Sequence, residues 1–362
     1  MPESRKFNEL DPGFRRGDEC FSVSLRPTKQ GFWIMTRLLT ILLFSLVLGA
    51  CGDRGSPAVS TVVQAPAKES SVVPPQPERK RVALVMKTLT NPFFVEMEKG
   101  ARRAEKDLGA DLQVKTAAQE TSIEQQIQIV EDMIAAKVDA IVIAPGDSQR
   151  LVPVLKKAVD AGIKVVNLDN RLDPDAVKQA GMPPVPFVSV DNEKAAYEAA
   201  KFLAGQFNGP TEAVILEGIR SANNAKQRME GARRALAENK GIKLVASESA
   251  NWKIDEGYVV IQQIFAKHPN VKLVFAANDM MGLGVLKYLQ ESGKTDVKVG
   301  AYDALPEAVT EVKAGRLTVT VDQQAAEQGF QGIALAMRLL KGDTVADVLL
   351  IDTRLVTAET VK

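Results

Sequence analysis

The stretch AIVIAPGDSQRLVPVLKKAVDAGIKVVNLDN, residues 140–170, decides the fold. AIVIA has no polar alternation, which is the pattern of a strand covered on both faces. From Gln149 to Ala161 the spacing is that of an amphipathic helix, and Gly162 follows where a helix C-cap belongs. KVVNL is then a second covered strand. Strand, helix and strand in this order form the repeating unit of a parallel sheet with helices on its faces.

The same rhythm runs outward in both directions. Upstream lie the strand RVALVMK, a helix over Asn91–Leu108, the strand LQVKT, and a helix over 123–136 carrying Ile123, Ile127, Val130 and Ile134 at helical spacing. Downstream, Gly181-Met182-Pro183-Pro184-Val185-Pro186 interrupts the pattern, and FVSV opens a second series. It continues through AVILE, KLVAS, KLVFAA, VKVGAY and LTVTV, with helices between them. Gly109, Gly209 and Gly241 stand between helix and strand as Gly162 does. Two doubly wound parallel sheets are predicted. Ligands of such sheets sit beyond the C-terminal ends of the strands, at topological switch points. That rule singles out Lys87, Asp169, Glu217, Asn278, Asp303 and Gln323.

Composition narrows the chemistry. The 362 residues are too many for one ordinary domain. Lys and Arg number 46 against 45 Asp and Glu, so the chain lacks the cationic excess of a nucleic-acid surface. One histidine and two cysteines exclude most zinc sites, any His-rich metal site and a disulfide framework. No metal and no cofactor are expected.

The apolar run Leu38–Ala50, LLTILLFSLVLGA, has 13 residues. A bilayer span needs ~20 and a signal-peptide core ~7–15, so the run is read as an export signal. It ends Leu48-Gly49-Ala50-Cys51, small residues before a cysteine, which resembles a bacterial lipobox with Cys51 as the lipid anchor. Residues 1–34 carry Glu3, Glu9, Asp11, Asp18 and Glu19, unlike a basic signal n-region. Residues 1–34 are therefore read as lying upstream of the true start, and 35–51, beginning Met35-Thr36-Arg37, as a lipoprotein signal peptide. Residues 52–80, rich in Pro, Ser, Ala and Val, read as a flexible tether. Cys20 would be removed by processing, so the folded body would hold no cysteine.

TLTNPFF at 88–94, NLDN at 167–170, Gln227-Arg228, AANDMMGLGVL at 276–286, YDALPEAV at 302–309 and TVDQQ at 320–324 together resemble the periplasmic sugar-binding proteins of ABC importers, nearest the ribose-binding branch. The likeness spans Arg81 to Lys362 at preserved spacing. YDALPEA and Asn251-Trp252 also resemble the glucose/galactose branch. The resemblance implies the type I periplasmic binding protein fold: two α/β lobes of doubly wound parallel sheet joined by a multi-segment hinge. It places 81–190 with 324–351 in one lobe and 191–323 with 352–362 in the other. Crossings are expected near Val190–Asn192, Gln323–Gln324 and Asp352.

A monosaccharide has hydroxyls on its rim and C–H bonds on its faces. Asp, Asn, Gln and Arg grip adjacent hydroxyls in fork fashion, and aromatic rings cover the faces. The resemblance implies that Asn91, Phe93, Phe94, Asp169, Arg228, Trp252, Asn278, Asp303 and Gln323 contact the ligand. Asn91 and Asn278 also stand where they cap the helices that follow. At least one of Phe93 and Phe94 is expected to face the cleft while the other partly packs, since neighbours on a helix cannot share a face. Trp252, in the polar stretch SANWKID, is expected to take a sugar face as its cover. Lys87 replaces the small hydroxyl residue usual in the ribose branch, and Asn170 replaces the usual arginine. Both are counted among the ligand-binding residues. They put ribose itself in doubt and leave room for another pentose, a hexose, a polyol or a sugar acid.

The expected mechanism is hinge closure on the ligand and presentation of the closed form to an ABC permease. The chain would act as a monomer outside the cytoplasm, held to a bacterial membrane by its lipid. An alternative output is a chemoreceptor or sensor kinase. A sugar-responsive repressor would need a DNA-binding domain where the export signal stands. A glycosidase pairing Asp169 with Asp303 has no supporting motif, and His268 in KHPN reads as a surface turn residue. The chain is therefore not expected to be an enzyme.

Overall fold

A computed structural model of the chain describes residues 79–361. The start at Met35, the lipobox cysteine Cys51, Cys20 and nearly all of the tether lie outside the described residues.

The first sheet contains β1 (Arg81–Met86), β2 (Asp111–Thr116), β3 (Ala140–Ile143), β4 (Lys164–Leu168), β5 (Phe187–Val190) and β11 (Val348–Ile351). Their order is β11-β5-β4-β3-β1-β2, and every pairing is parallel. The unbroken apolar runs follow from cover on both faces. Val82, Leu84 and Met86 pack with Phe94, Met97 and Ala101 of α1 (Pro92–Leu108) and with Ile333 and Ala336 of α10 (Ala325–Lys341). Ala83 and Val85 point the other way, onto Val130 and Met133 of α2 (Ile123–Ala135) and Leu155 of α3 (Val152–Asp160).

The second sheet holds β6 (Thr211–Glu217), β7 (Ile242–Ser249), β8 (Val271–Ala276), β9 (Lys298–Gly300), β10 (Val319–Asp322) and β12 (Arg354–Thr357), in the order β12-β10-β9-β8-β6-β7. Ala213 and Ile215 face α5 (Asn192–Ala204) and α6 (Asn223–Glu238). Val214 and Leu216 face α7 (Ile254–Lys267) and α8 (Asp279–Glu291). This sheet departs from the expected all-parallel form at one edge, where β12 runs antiparallel to β10 with Val319 opposite Thr357. The chain passes from the end of β11 in the first sheet directly into β12, which starts beside the end of β10 and so runs away from the crossing toward which β10 runs.

The chain changes sheet three times: between β5 and α5, between β10 and α10, and between β11 and β12. In each sheet the strand order reverses beside the first strand, since β1 lies between β2 and β3, and β6 between β7 and β8. The loops leaving β1, β3, β6 and β8 therefore open the crevice in which such folds bind. Gly109 ends α1 with φ 70°, its N–H donating to Glu105. Gly209 and Gly241 are not caps, because α5 and α6 end at Gly205 and Asn239. Gly241 is needed instead for close approach: a Cβ there would stand 2.9 Å from the Gly209 carbonyl oxygen.

Helix α10 re-enters the first lobe by lying against α1. A Cβ on Gly100 would stand 1.7 Å from the Ala326 carbonyl oxygen, and backbone cannot swing aside as a flexible side chain can. Gly100→Ala is expected to cost roughly 1–3 kcal/mol, read as a lower urea midpoint at unchanged slope.

Candidate functional site

Lys87 leaves the end of β1 with its ammonium 2.7 Å from Asp169 Oδ2, 3.8 Å from Glu120 Oε2, and 5.5 Å from the centre of the Phe94 ring. Asn91 caps α1, its Oδ1 accepting from the Phe93 N–H at 3.1 Å. Its amide is thereby turned to donate to Glu120 Oε1 at 2.9 Å. Asp169 follows β4 in the left-handed region at φ 58°. Backbone bonds hold it there: its N–H donates to Val188 at 2.9 Å and its carbonyl accepts from Ser189 Oγ at 2.7 Å.

In the second lobe the organising side chain is Arg228, on α6. Its Nε donates to Asn192 Oδ1 at 2.8 Å, Nη1 to the Ala277 carbonyl at 2.9 Å, and Nη2 to Gln323 Oε1 at 3.3 Å. Nη1 also stands 3.4 Å from Asp303 Oδ1, and the guanidinium lies 3.8 Å above the Tyr302 ring. Gln323 donates to Asp303 Oδ1 at 2.6 Å. Asn278 caps α8 by accepting from Met281 N–H and donates to the Trp252 carbonyl at 3.2 Å. Below the site, buried Asp279 accepts from Thr320 Oγ1 at 2.7 Å and from Leu305 N–H at 2.8 Å, while its own N–H donates to the Tyr302 carbonyl. These bonds hold the turn that carries Asp303 at φ 123°.

Lys87, Asn91, Phe93, Phe94, Asp169, Arg228, Trp252, Asn278, Asp303 and Gln323 line one cavity between the lobes. Phe93 and Phe94 both border it, in an edge-to-face pair with centroids 5.1 Å apart, and both are also buried against the core of the first lobe. Trp252 needs no ligand as its cover. It is 4% exposed, and its ring lies so close to Gly218 that a Cβ there would stand 2.0 Å from it.

Asn170 does not line the cavity. Asp169 and Asn170 lie past the end of β4, and the left-handed backbone at Asp169 turns the chain so that the two side chains part. Its amide donates to the Pro145 carbonyl at 2.9 Å, and its oxygen accepts from Ser148 Oγ and from the Asn224 N–H. Glu217 also lies outside the cavity, paired with Arg220 and Ser247. The sequence reading missed Glu120 and Asn224, which complete the lining. Glu120 sits in the featureless polar loop TAAQET. For Asn224 the one available signal was its place one turn before Arg228.

Burial pushes the Glu120 carboxyl up, with the Lys87 charge and the Asn91 hydrogen bond pulling the other way. Burial likewise raises Asp303 to about 7 against the pull of Arg228 and Gln323, and holds Asp279 well above the usual carboxylate range. Lys87 is paired with Asp169 and Arg228 with Asp303, so neither cation stands alone in the cavity. Asn224 Oδ1 and Trp252 Nε1 are buried without a hydrogen-bond partner among the described residues. Asp169 Oδ2 is also without one: the Lys87 ammonium is close, but the contact is Coulombic rather than an aligned hydrogen bond. A lining of forked donors and acceptors with three aromatic rings can grip a small polyhydroxylated ring.

Residues 82–344 match the family model described as a periplasmic binding protein domain. The D-ribose/D-allose-binding protein of Pseudomonas aeruginosa is 43% identical over 278 residues, covering 76% of this chain and 86% of its own. The D-allose-binding periplasmic protein of Escherichia coli is 34% identical over 283 residues, covering 76% of this chain and 91% of its own. Among solved structures, an ABC transporter periplasmic solute-binding protein from Actinobacillus succinogenes with bound D-allose has a TM-score of 0.74 at 38% identity. That match covers 78% of this chain and 99% of that one.

Lys87→Met leaves two buried carboxylates without their cation, which costs ~3–5 kcal/mol near neutral pH. Glu120 is already raised in the folded state, and losing Lys87 raises it further. The stability such a group contributes is complete below the ordinary carboxyl range and is lost as pH rises through the folded-state value. The deficit of the variant is therefore expected to shrink between neutral pH and pH 5. Urea midpoints at the two pH values check this, and an equal deficit at both would contradict it.

Proposed function

The chain belongs to the periplasmic binding protein family, and from that premise we propose that it is the extracytoplasmic receptor of an ABC importer for a neutral monosaccharide. The observation that carries this reading is the convergence of two opposed sets of side chains on one small cavity. Lys87, Asn91 and Asp169 come from the first lobe; Arg228, Asn278 and Asp303 come from the second. The relatives it matches are solute-binding proteins of transporters, so the chain is a binding protein and not an enzyme.

The pairing of both cavity cations with carboxylates supports a neutral ligand, and the relatives bearing D-ribose and D-allose in their names support an aldose of that kind. The lobes 81–190 with 324–351 and 191–323 with 352–362 close about the three crossings. Contacts to both lobes exist together only in the closed form, so binding shifts the population toward it. The closed form is what the permease receives. A lipid on Cys51 and the tether that follows keep the receptor near that permease. A dissociation constant of ~1 μM requires ~8 kcal/mol. A few charge-assisted hydrogen bonds at ~1.5–3 kcal/mol each, with ring contacts, reach this after closure costs.

Titration calorimetry against D-allose, D-ribose, D-glucose, myo-inositol and D-glucuronate tests the proposal. At least one neutral ligand is expected to bind at ~1 μM or tighter. Asp303→Ala is expected to weaken that ligand by at least about tenfold. X-ray scattering should show compaction on binding. Tightest binding of glucuronate would refute the charge argument, and no heat from any member of the panel would refute the sugar assignment.

A further inference from the structure

Asn224 belongs to none of the motifs that mark this site, yet it joins the cavity to the lobe opposite its own. It is the second residue of α6 and only 3% exposed. Its backbone N–H donates to Asn170 Oδ1 at 3.2 Å, and its side-chain amide donates to Asp169 Oδ1 at 3.3 Å. Its Oδ1 is buried at the cavity wall and has no hydrogen-bond partner among the described residues. The carboxamide cannot turn over, because its oxygen would then face the Asp169 carboxylate, acceptor against acceptor. An acceptor is thus committed to the cavity.

The start of α6 explains how Asn224 comes to be there. A helix begins with N–H groups that its own turns cannot satisfy, and Ser, Thr, Asn or Asp ordinarily caps them. Here the cap position is Ala222, which makes no side-chain cap. The first lobe supplies the acceptors instead. Ser148 Oγ accepts from the Asn223 N–H at 2.9 Å, and Asn170 Oδ1 accepts from the Asn224 N–H. The Ser148 N–H adds a bond to the Ser221 carbonyl at 3.2 Å. Asn170 is held in this orientation by its amide, which donates to Pro145.

We propose that Asn224 is a ligand-binding residue of this site, accepting a ligand hydroxyl at Oδ1, and that it is set in place by a helix cap which the first lobe supplies in trans when the lobes close. The inference rests on the sugar reading of the cavity, but its cap can be measured without any sugar. Ser148 and Asn170 do not border the cavity and act only on closure. Weakening them lowers the closed fraction and raises the apparent dissociation constant of every ligand by one common factor. Asn224 touches the ligand, so its loss changes ligands unequally.

The test compares Asn224→Ala, Ser148→Ala and Asn170→Ala by calorimetry with D-allose, D-ribose and their singly deoxygenated analogues, and by scattering from the sugar-free chain. Ser148→Ala and Asn170→Ala are expected to weaken all ligands alike, by about two- to tenfold, and to expand the sugar-free chain. Asn224→Ala is expected to alter the ratio between ligands, and to cost least for the analogue lacking the hydroxyl that Asn224 binds. A uniform loss from Asn224→Ala would overturn the ligand contact. Unchanged affinity and unchanged sugar-free dimensions in Ser148→Ala would overturn the cap. If fully buried Asn170 proves necessary for folding, as urea melts would show, Ser148→Ala alone decides the second arm. Failure of every sugar to bind would refute the function, while the sugar-free scattering would still decide the cap.

Discussion

A buried guanidinium must find acceptors for its donors or destabilise the fold that buries it, and the geometry of this cleft follows from how Arg228 meets that demand. Its acceptors are not local. Asn192 lies at the first passage between the sheets, Gln323 at the second, and Asp303 on the turn after β9. One side chain therefore ties two of the hinge crossings to the wall of the cavity. Tyr302 beneath it and Trp252 beside it keep water from substituting for those acceptors. The first lobe has a counterpart in Lys87, whose charge is shared between Asp169 and Glu120.

These two clusters give the cavity a common design. Each places a cation among carboxylates and amides, so the ligand meets preformed forks rather than free charges. Burial raises Glu120 and Asp303 because their ionised forms lose water, and the cations recover only part of that loss. A ligand's hydroxyls can supply hydrogen bonds to such carboxylates without adding charge.

Much of this was legible in the chain because it rests on local rules. Helix caps at Asn91 and Asn278, strand ends at Lys87 and Asp169, and apolar runs without alternation need only neighbours in sequence to be read. Asn170 shows where that reading stops. Its place next to Asp169 marked it as a site residue, but the left-handed turn of the backbone past β4 sends it to the lobe interface. Trp252 shows a second limit, since its cover is Gly218, more than thirty positions away, and no pattern in SANWKID reveals it.

The sequence by itself determined two doubly wound sheets, the strand ends from which a site would be built, and the chemical types that would build it. Periodicity and capping are enforced within a few residues, so they survive in a one-dimensional record. Only the tertiary structure decided that Glu120 and Asn224 join the cavity, that Lys87 is already neutralised, and that α6 takes its cap from the opposite lobe. Those facts depend on distances between segments that fold together from far apart in the chain, and such distances leave no local mark on the residues they unite.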